Sequence, residues 1–101
     1  MRYYSIEKDI VEIKEDDKRV SIVGTVVRKN TTKYSMIVDD GTGEIEVYTD
    51  TLFDIGNLVR VIGRIFKDDT SRLCINAEII QDFSGFDVAL YQKVRIMEGK
   101  L

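Results

Sequence analysis

Two long β-branched runs, each broken at its centre by a glycine, constrain this chain more than any other feature. They are RVSIVGTVVRKN, Arg19 to Asn30, bent at Gly24, and NLVRVIGRIF, Asn57 to Phe66, bent at Gly63. A glycine inside such a run marks a bulge, a sharp bend or a close backbone approach. Between them lie two shorter runs, YSMIVDD and EIEVYTD, joined by a DGTG turn. Asp-Gly between alternating apolar runs is a strong hairpin signal. A fifth run, RLCINAEIIQDF, follows the polar loop KDDTS. Five successive antiparallel strands in about 65 residues do not stay open and flat, because twist and unpaired edges oppose it. Closing the sheet into a small barrel answers both problems, with the glycines at the corners.

The expected fold class is therefore all-β, a five-stranded OB-fold barrel over residues 19–83, followed by a C-terminal amphipathic α-helix over 84–101. An SH3-like barrel, with shorter strands, is the competitor. The helix rests on Phe86, Ala89, Leu90, Val94, Met97 and Leu101, which fall on one helical stripe. Such a stripe can cap one end of a barrel or form a seam with another subunit. The partner-interface residues expected there are Phe86, Leu90, Val94 and Met97. Residues 1–18 read as an N-terminal segment and charged linker. Within it Ile6, Ile10 and Ile13 recur at helical spacing behind Ser5, although an extended reading is equally open.

Composition removes several classes of function. The 101 residues are 44% hydrophobic and 33% charged, enough apolar matter for one cored domain and too much for a disordered tail. With no histidine, His-dependent catalysis is excluded and a standard zinc site lacks ligands. The single cysteine, Cys74, rules out an internal disulfide and favours an intracellular setting. It reads as a small core or edge filler. No run approaches a membrane span, and acids near the start leave no secretory signal. Abundant isoleucine suits a thermophile or an AT-rich genome alike. Net charge is −3, whereas proteins that live on nucleic acid are usually basic. A local basic track on an acidic body remains compatible with binding.

Alternation along EIEVYTD puts Ile45 and Val47 on one face and Glu44, Glu46 and Tyr48 on the other. Burial takes the isoleucine and valine, so Tyr48 is expected on the outer face. There it can stack on an unpaired base, an interaction worth about 1–3 kcal/mol. Alternatively it packs on a cross-strand neighbour. On the preceding strand, Tyr34, Met36 and Val38 are expected inward, with Ile37 outward beside Tyr48. A register slip of one would make Tyr34 the surface aromatic instead. Arg28, Lys29 and Lys33 surround the first loop, while Arg60, Arg64, Lys67 and Arg72 surround the fourth strand and its loop. These two loops flank one groove in an OB barrel, so the cations could line a phosphate track. They could equally be solvated surface charge. The acids Asp68, Asp69, Glu44 and Glu46 oppose phosphate and predict weak, salt-sensitive affinity. Asp39, Asp40 and Glu44 are hard oxygen donors, but aspartates at a hairpin are explained by turn chemistry, and no metal site is expected.

The runs RVSIVGTVVRKN, YSMIVDDGTGEIEVYTD and NLVRVIGRIF resemble OB domains of the replication protein A family, over Arg19 to Phe83. They are most similar to the middle-sized subunit and its archaeal relatives, and VDDGTG is the most specific piece. The resemblance implies a non-catalytic, cofactor-free module that binds single-stranded DNA with other OB-fold subunits in DNA replication and repair. It also implies a terminal helix that bundles with those partners. Tyr48, followed by Thr49 and Asp50, falls where the family carries a stacking aromatic, and Phe66 lies nearest its second one. A long N-terminal tail and a winged-helix extension, expected of the eukaryotic subunit, are not seen. The nucleic-acid contacts expected are Arg28, Lys29, Lys33, Ile37, Tyr48, Arg64, Phe66, Lys67 and Arg72. Two other readings stand beside this one. One is an OB subunit that scaffolds a complex with little DNA contact. The other is an RNA- or tRNA-binding OB domain.

Overall fold

The computed structural model describes residues 6–83. The strands are β1 (Ile6–Glu7), β2 (Arg19–Asn30), β3 (Ser35–Asp39), β4 (Glu44–Tyr48), β5 (Leu58–Lys67) and β6 (Leu73–Asp82). They run in the order β1-β2-β3-β4-β6-β5, and β5 returns to pair with β2. The first half of β2, Arg19 to Thr25, pairs antiparallel with β5. Its second half, Thr25 to Asn30, pairs antiparallel with β3. β4 meets β6 in parallel at Glu46, Val47 and Tyr48. That seam makes the sheet a closed cylinder.

The bends fall where the glycines are. A Cβ on Gly24 would stand 2.7 Å from the carbonyl oxygen of Asp39 and from a methyl of Val38. One on Gly63 would collide with the carbonyl oxygen of Asn76. Both are therefore close-approach positions, where one strand crosses over its neighbour. Register shifts between Val26 and Arg28 and between Ile62 and Gly63 let the long strands turn between halves of the cylinder. Inside lie Val20, Ile22, Val26, Met36, Val38, Ile45, Val47, Val59, Val61 and Ile75, the inward members of each alternating run. The hairpin follows the turn chemistry expected of it. Gly41 takes φ +90°, and its amide donates to Asp39 Oδ1 at 2.7 Å.

The expected fold class needs correction at both ends. The barrel itself has the five strands expected, β2 to β6, but a sixth is added beside it, because Ile6 and Glu7 pair in parallel with Val20 and Ser21. The helical spacing of Ile6, Ile10 and Ile13 produces only a 3₁₀ turn, Ile10–Glu12, between extended residues Asp9 and Ile13. Ile10 and Ile13 are drawn into the core cluster instead. Asp40 holds this strap in place: its Oδ2 accepts the Ile10 amide at 2.7 Å. Thr42 Oγ1 accepts the Val11 amide at 3.2 Å. The stretch read as a linker also folds back, with Lys8 Nζ 2.8 Å from Asp17 Oδ1. No α-helix occurs among the described residues. The C-terminal helix expected over 84–101, with Phe86, Leu90, Val94 and Met97, lies outside them. The fold is thus an all-β barrel whose end is plugged by the N-terminal strap.

Candidate nucleic-acid interface

The site is built from two adjacent rows crossing the outer wall of the barrel. In the first, Arg28 pairs with Ile37, Ile37 with Glu46, Glu46 with Cys74, and Cys74 with Phe66. In the second, Ser35 pairs with Tyr48, Tyr48 with Asn76, and Asn76 with Arg64. Parity puts these residues outside because Met36, Val38, Ile45, Val47 and Ile75 occupy the interior. The rows bring together Arg28, Ile37, Tyr48, Phe66 and Arg64, which belong to four strands.

Tyr48 and Phe66 form the centre of this face. Their ring centroids are 5.4 Å apart and the rings are tilted by 58°, within the range of favourable aromatic pairs. Tyr48 is half-buried, not fully solvent-facing. Its hydroxyl donates to Glu46 Oε1 at 3.2 Å. Burial raises its pKa above the usual phenol value, and the Glu46 carboxylate adds to the rise. Beside the two rings lies an open groove of about 470 Å³, lined also by Lys67, Asp68, Asp69 and Asn76. A second groove, about 400 Å³, runs past Arg28, Ile37, Glu44, Glu46, Arg72 and Leu73. Cations from the first and fourth loops, Arg28 and Arg72, therefore share one groove.

Most of these cations are engaged with acids. Arg28 pairs with Glu44, Lys29 with Asp54 at 3.4 Å, Arg64 with Glu78 at 3.8 Å, and Lys67 with Glu15 at 2.9 Å. Lys33 and Arg72 make no ion pair among the described residues. Arg60 stands apart from the site: it pairs with Val23 and Gln81, and its Nε donates to Ser21 Oγ at 3.1 Å.

Tyr34 corrects the inward placement expected of it. It precedes β3, takes φ +52° and is 61% exposed. The Asn30 side chain accepts amides of Thr32 and Lys33, tightening the loop, and Tyr34 closes it in a left-handed conformation. Its carbonyl accepts the Thr49 amide at 3.0 Å, which sets this second exposed aromatic near the end of β4. Alternation carries no information on it, because alternation stops where the strand does.

Asp68 orders the β5–β6 loop. Its Oδ1 accepts from Thr70 N, Thr70 Oγ1 and Arg72 N at 2.8, 2.7 and 3.0 Å. These bonds, the Thr70 hydroxyl foremost, hold its carboxyl below the usual range. Asp68, Glu46 and Cys74 bring their donor atoms within 4.8 Å of one another. Such a trio could face a cation. Asp68 is instead engaged by hydroxyl and amide donors, and burial pushes the Cys74 thiol up to about 11, so the third member stays a neutral thiol. At the hairpin, Asp40 Oδ1 accepts from Thr42 N at 2.9 Å and Thr42 Oγ1 at 2.6 Å. Asp39 and Asp40 are thus used as turn and strap residues.

Comparison with known proteins gives one family and several solved structures of similar fold. The model of the family described as Replication factor A protein 3 matches residues 12–100. A chain of a replication protein A heterotrimer bound to ssDNA aligns with a TM-score of 0.61 and 23% identity, over 76% of this chain and 66% of that one. The telomere capping protein Ten1 of S. pombe aligns with a TM-score of 0.70 and 13% identity, over 97% of this chain and 100% of that one. The S. pombe Stn1–Ten1 complex gives 0.69 and 13%, over 97% and 94%. At these identities the likeness is one of fold. No curated protein matches significantly.

Proposed function

The chain belongs to the replication factor A protein 3 family, and from that premise we propose that it is a non-catalytic OB-fold subunit of a replication protein A-type complex, holding single-stranded DNA on the outer wall of its barrel. The observation that carries the reading is the Tyr48–Phe66 pair, 5.4 Å between centroids and open to a groove. Unpaired bases stack on such rings regardless of sequence. Ile37 extends the apolar surface. Arg72 and Lys33 supply cations that no acid neutralises among the described residues, and Arg28, Lys29, Arg64 and Lys67 could exchange their carboxylate partners for phosphate. Its partners are other OB-fold subunits.

Fluorescence anisotropy with a labelled oligothymidine at low salt tests this reading. Tyr48→Ala is expected to weaken binding by about 1–3 kcal/mol, and to lower the thermal midpoint by several degrees through loss of the Phe66 contact, so affinity is read well below that midpoint. No binding at low salt, even with the cognate subunits present, would refute the site. A second reading is favoured by the ion pairing itself: a subunit that scaffolds the complex and barely touches DNA. It predicts that charge reversal at Arg28 and Arg72 leaves DNA affinity of the assembled complex unchanged.

A further inference from the structure

We propose that this face, on the reading just given, selects the base it holds, and that the Glu46 carboxylate makes the choice in favour of guanine. Glu46 lies between Ile37 and Cys74 across the sheet and two residues before Tyr48, on the same outer face. Its orientation is built in. The hydroxyl of Ser35, a residue 1% exposed, donates to Oε2 at 2.7 Å. The hydroxyl of Tyr48 donates to Oε1 at 3.2 Å.

A carboxylate offers about four lone pairs, so each oxygen keeps one acceptor position after these bonds. Glu46 lines the groove that contains Ile37 and Arg72. The aromatic pair lines the other groove, so a base stacked on the rings and reaching across to Ile37 would turn its Watson–Crick edge toward these two neighbouring acceptors. Unstacked bases are commonly read on that edge. Guanine alone presents two adjacent donors there, N1–H and the N2 amino group. Cytosine and adenine set a ring acceptor beside their amino group. Thymine flanks its single N–H with carbonyls. Each of these would place an acceptor against a carboxylate oxygen. Glu44 does not compete, because it stands at the opposite end of β4 from Tyr48. The feature that weakens phosphate binding, an acid on the binding face, is on this account the reader of the base.

The test uses the whole chain and fluorescent octamers of thymidine carrying one central guanosine, adenosine or cytidine. A single guanine avoids quadruplex formation. The guanine octamer is expected to bind about tenfold more tightly than oligothymidine, the scale of one bidentate contact. Deoxyinosine in place of that guanine removes the N2 donor and is expected to abolish most of the preference, with no change to the protein. Glu46→Gln should bring the octamers to one affinity while binding of oligothymidine persists or rises. Equal affinity for every octamer, or a preference that survives both inosine and Glu46→Gln, overturns the selection and leaves stacking intact. Failure to bind any octamer at low salt, with the cognate subunits present as well, refutes the stacking reading and the selection with it.

Discussion

Cys74 lies on the outer side of β6 yet is 1% exposed, because the β5–β6 loop folds over it. Its thiol donates weakly to Asp68 Oδ2 and to the Arg72 carbonyl, both at 3.7 Å. With its pKa pushed from 9.0 to about 11, first by burial and then by Asp68 and Glu46, it holds about a hundredfold less thiolate at pH 8 than an ordinary cysteine. Alkylation by iodoacetamide is therefore expected to be at least that much slower in the native chain than in denaturant, as mass spectrometry would record. Single residues also show how far a sequence reaches. Met36, Val38, Ile45 and Val47 were readable as interior, and Ile37 and Tyr48 as exterior, because a strand's period is fixed. Tyr34 was not readable, since its positive φ belongs to the turn that Asn30 organises. Nor was the Tyr48–Phe66 contact, which joins strands that are neighbours of β6 and not of each other.

At the scale of elements, the glycine bends and the hairpin were legible, and the N-terminal strap was not. Isoleucines every three or four residues suit a helix and a plug equally well. What decides is a carboxylate 30 residues away: Asp40 accepts the Ile10 amide. Removing it leaves that amide and the turn unsatisfied. Asp40→Ala is expected to cost about 1.5–3 kcal/mol in urea denaturation, the range for hydrogen bonds to charged groups. The strap has a second fastening in Lys8–Asp17. The Lys8 hydrogen bond, then the Lys14 amide, hold the Asp17 carboxyl below its usual 3.8. Its folded pKa is depressed, so the stabilisation is whole above about pH 4 and fades as pH falls through the folded value. Asp17→Asn should flatten the acid limb of a thermal-midpoint-versus-pH curve and leave its slope near neutrality unchanged.

Taken whole, the molecule carries net charge −3 and still gathers Arg28, Arg72, Lys67 and Arg64 around one outer wall. Because most of these are paired with acids, few counterions leave on binding. With about two phosphates neutralised, log K against log salt should slope at roughly −1.4 on single strands. A much steeper slope would mean that the acids give way to DNA. The closed barrel was legible from five runs and two glycines. The added strand and its strap were hidden because short segments take their structure from what they touch.

β6 is the last strand of the described chain to be made, yet it sits between β4 and β5. Until Leu73 to Asp82 leave the ribosome, those two neighbours each present a bare backbone margin, and the valines and isoleucines between them face water. Every nascent chain must pass through that gaping intermediate, the condition in which sticky margins recruit other chains. A stop codon anywhere before residue 73 therefore yields, instead of a weaker version of this protein, a curled half-sheet fit mainly for aggregation or degradation.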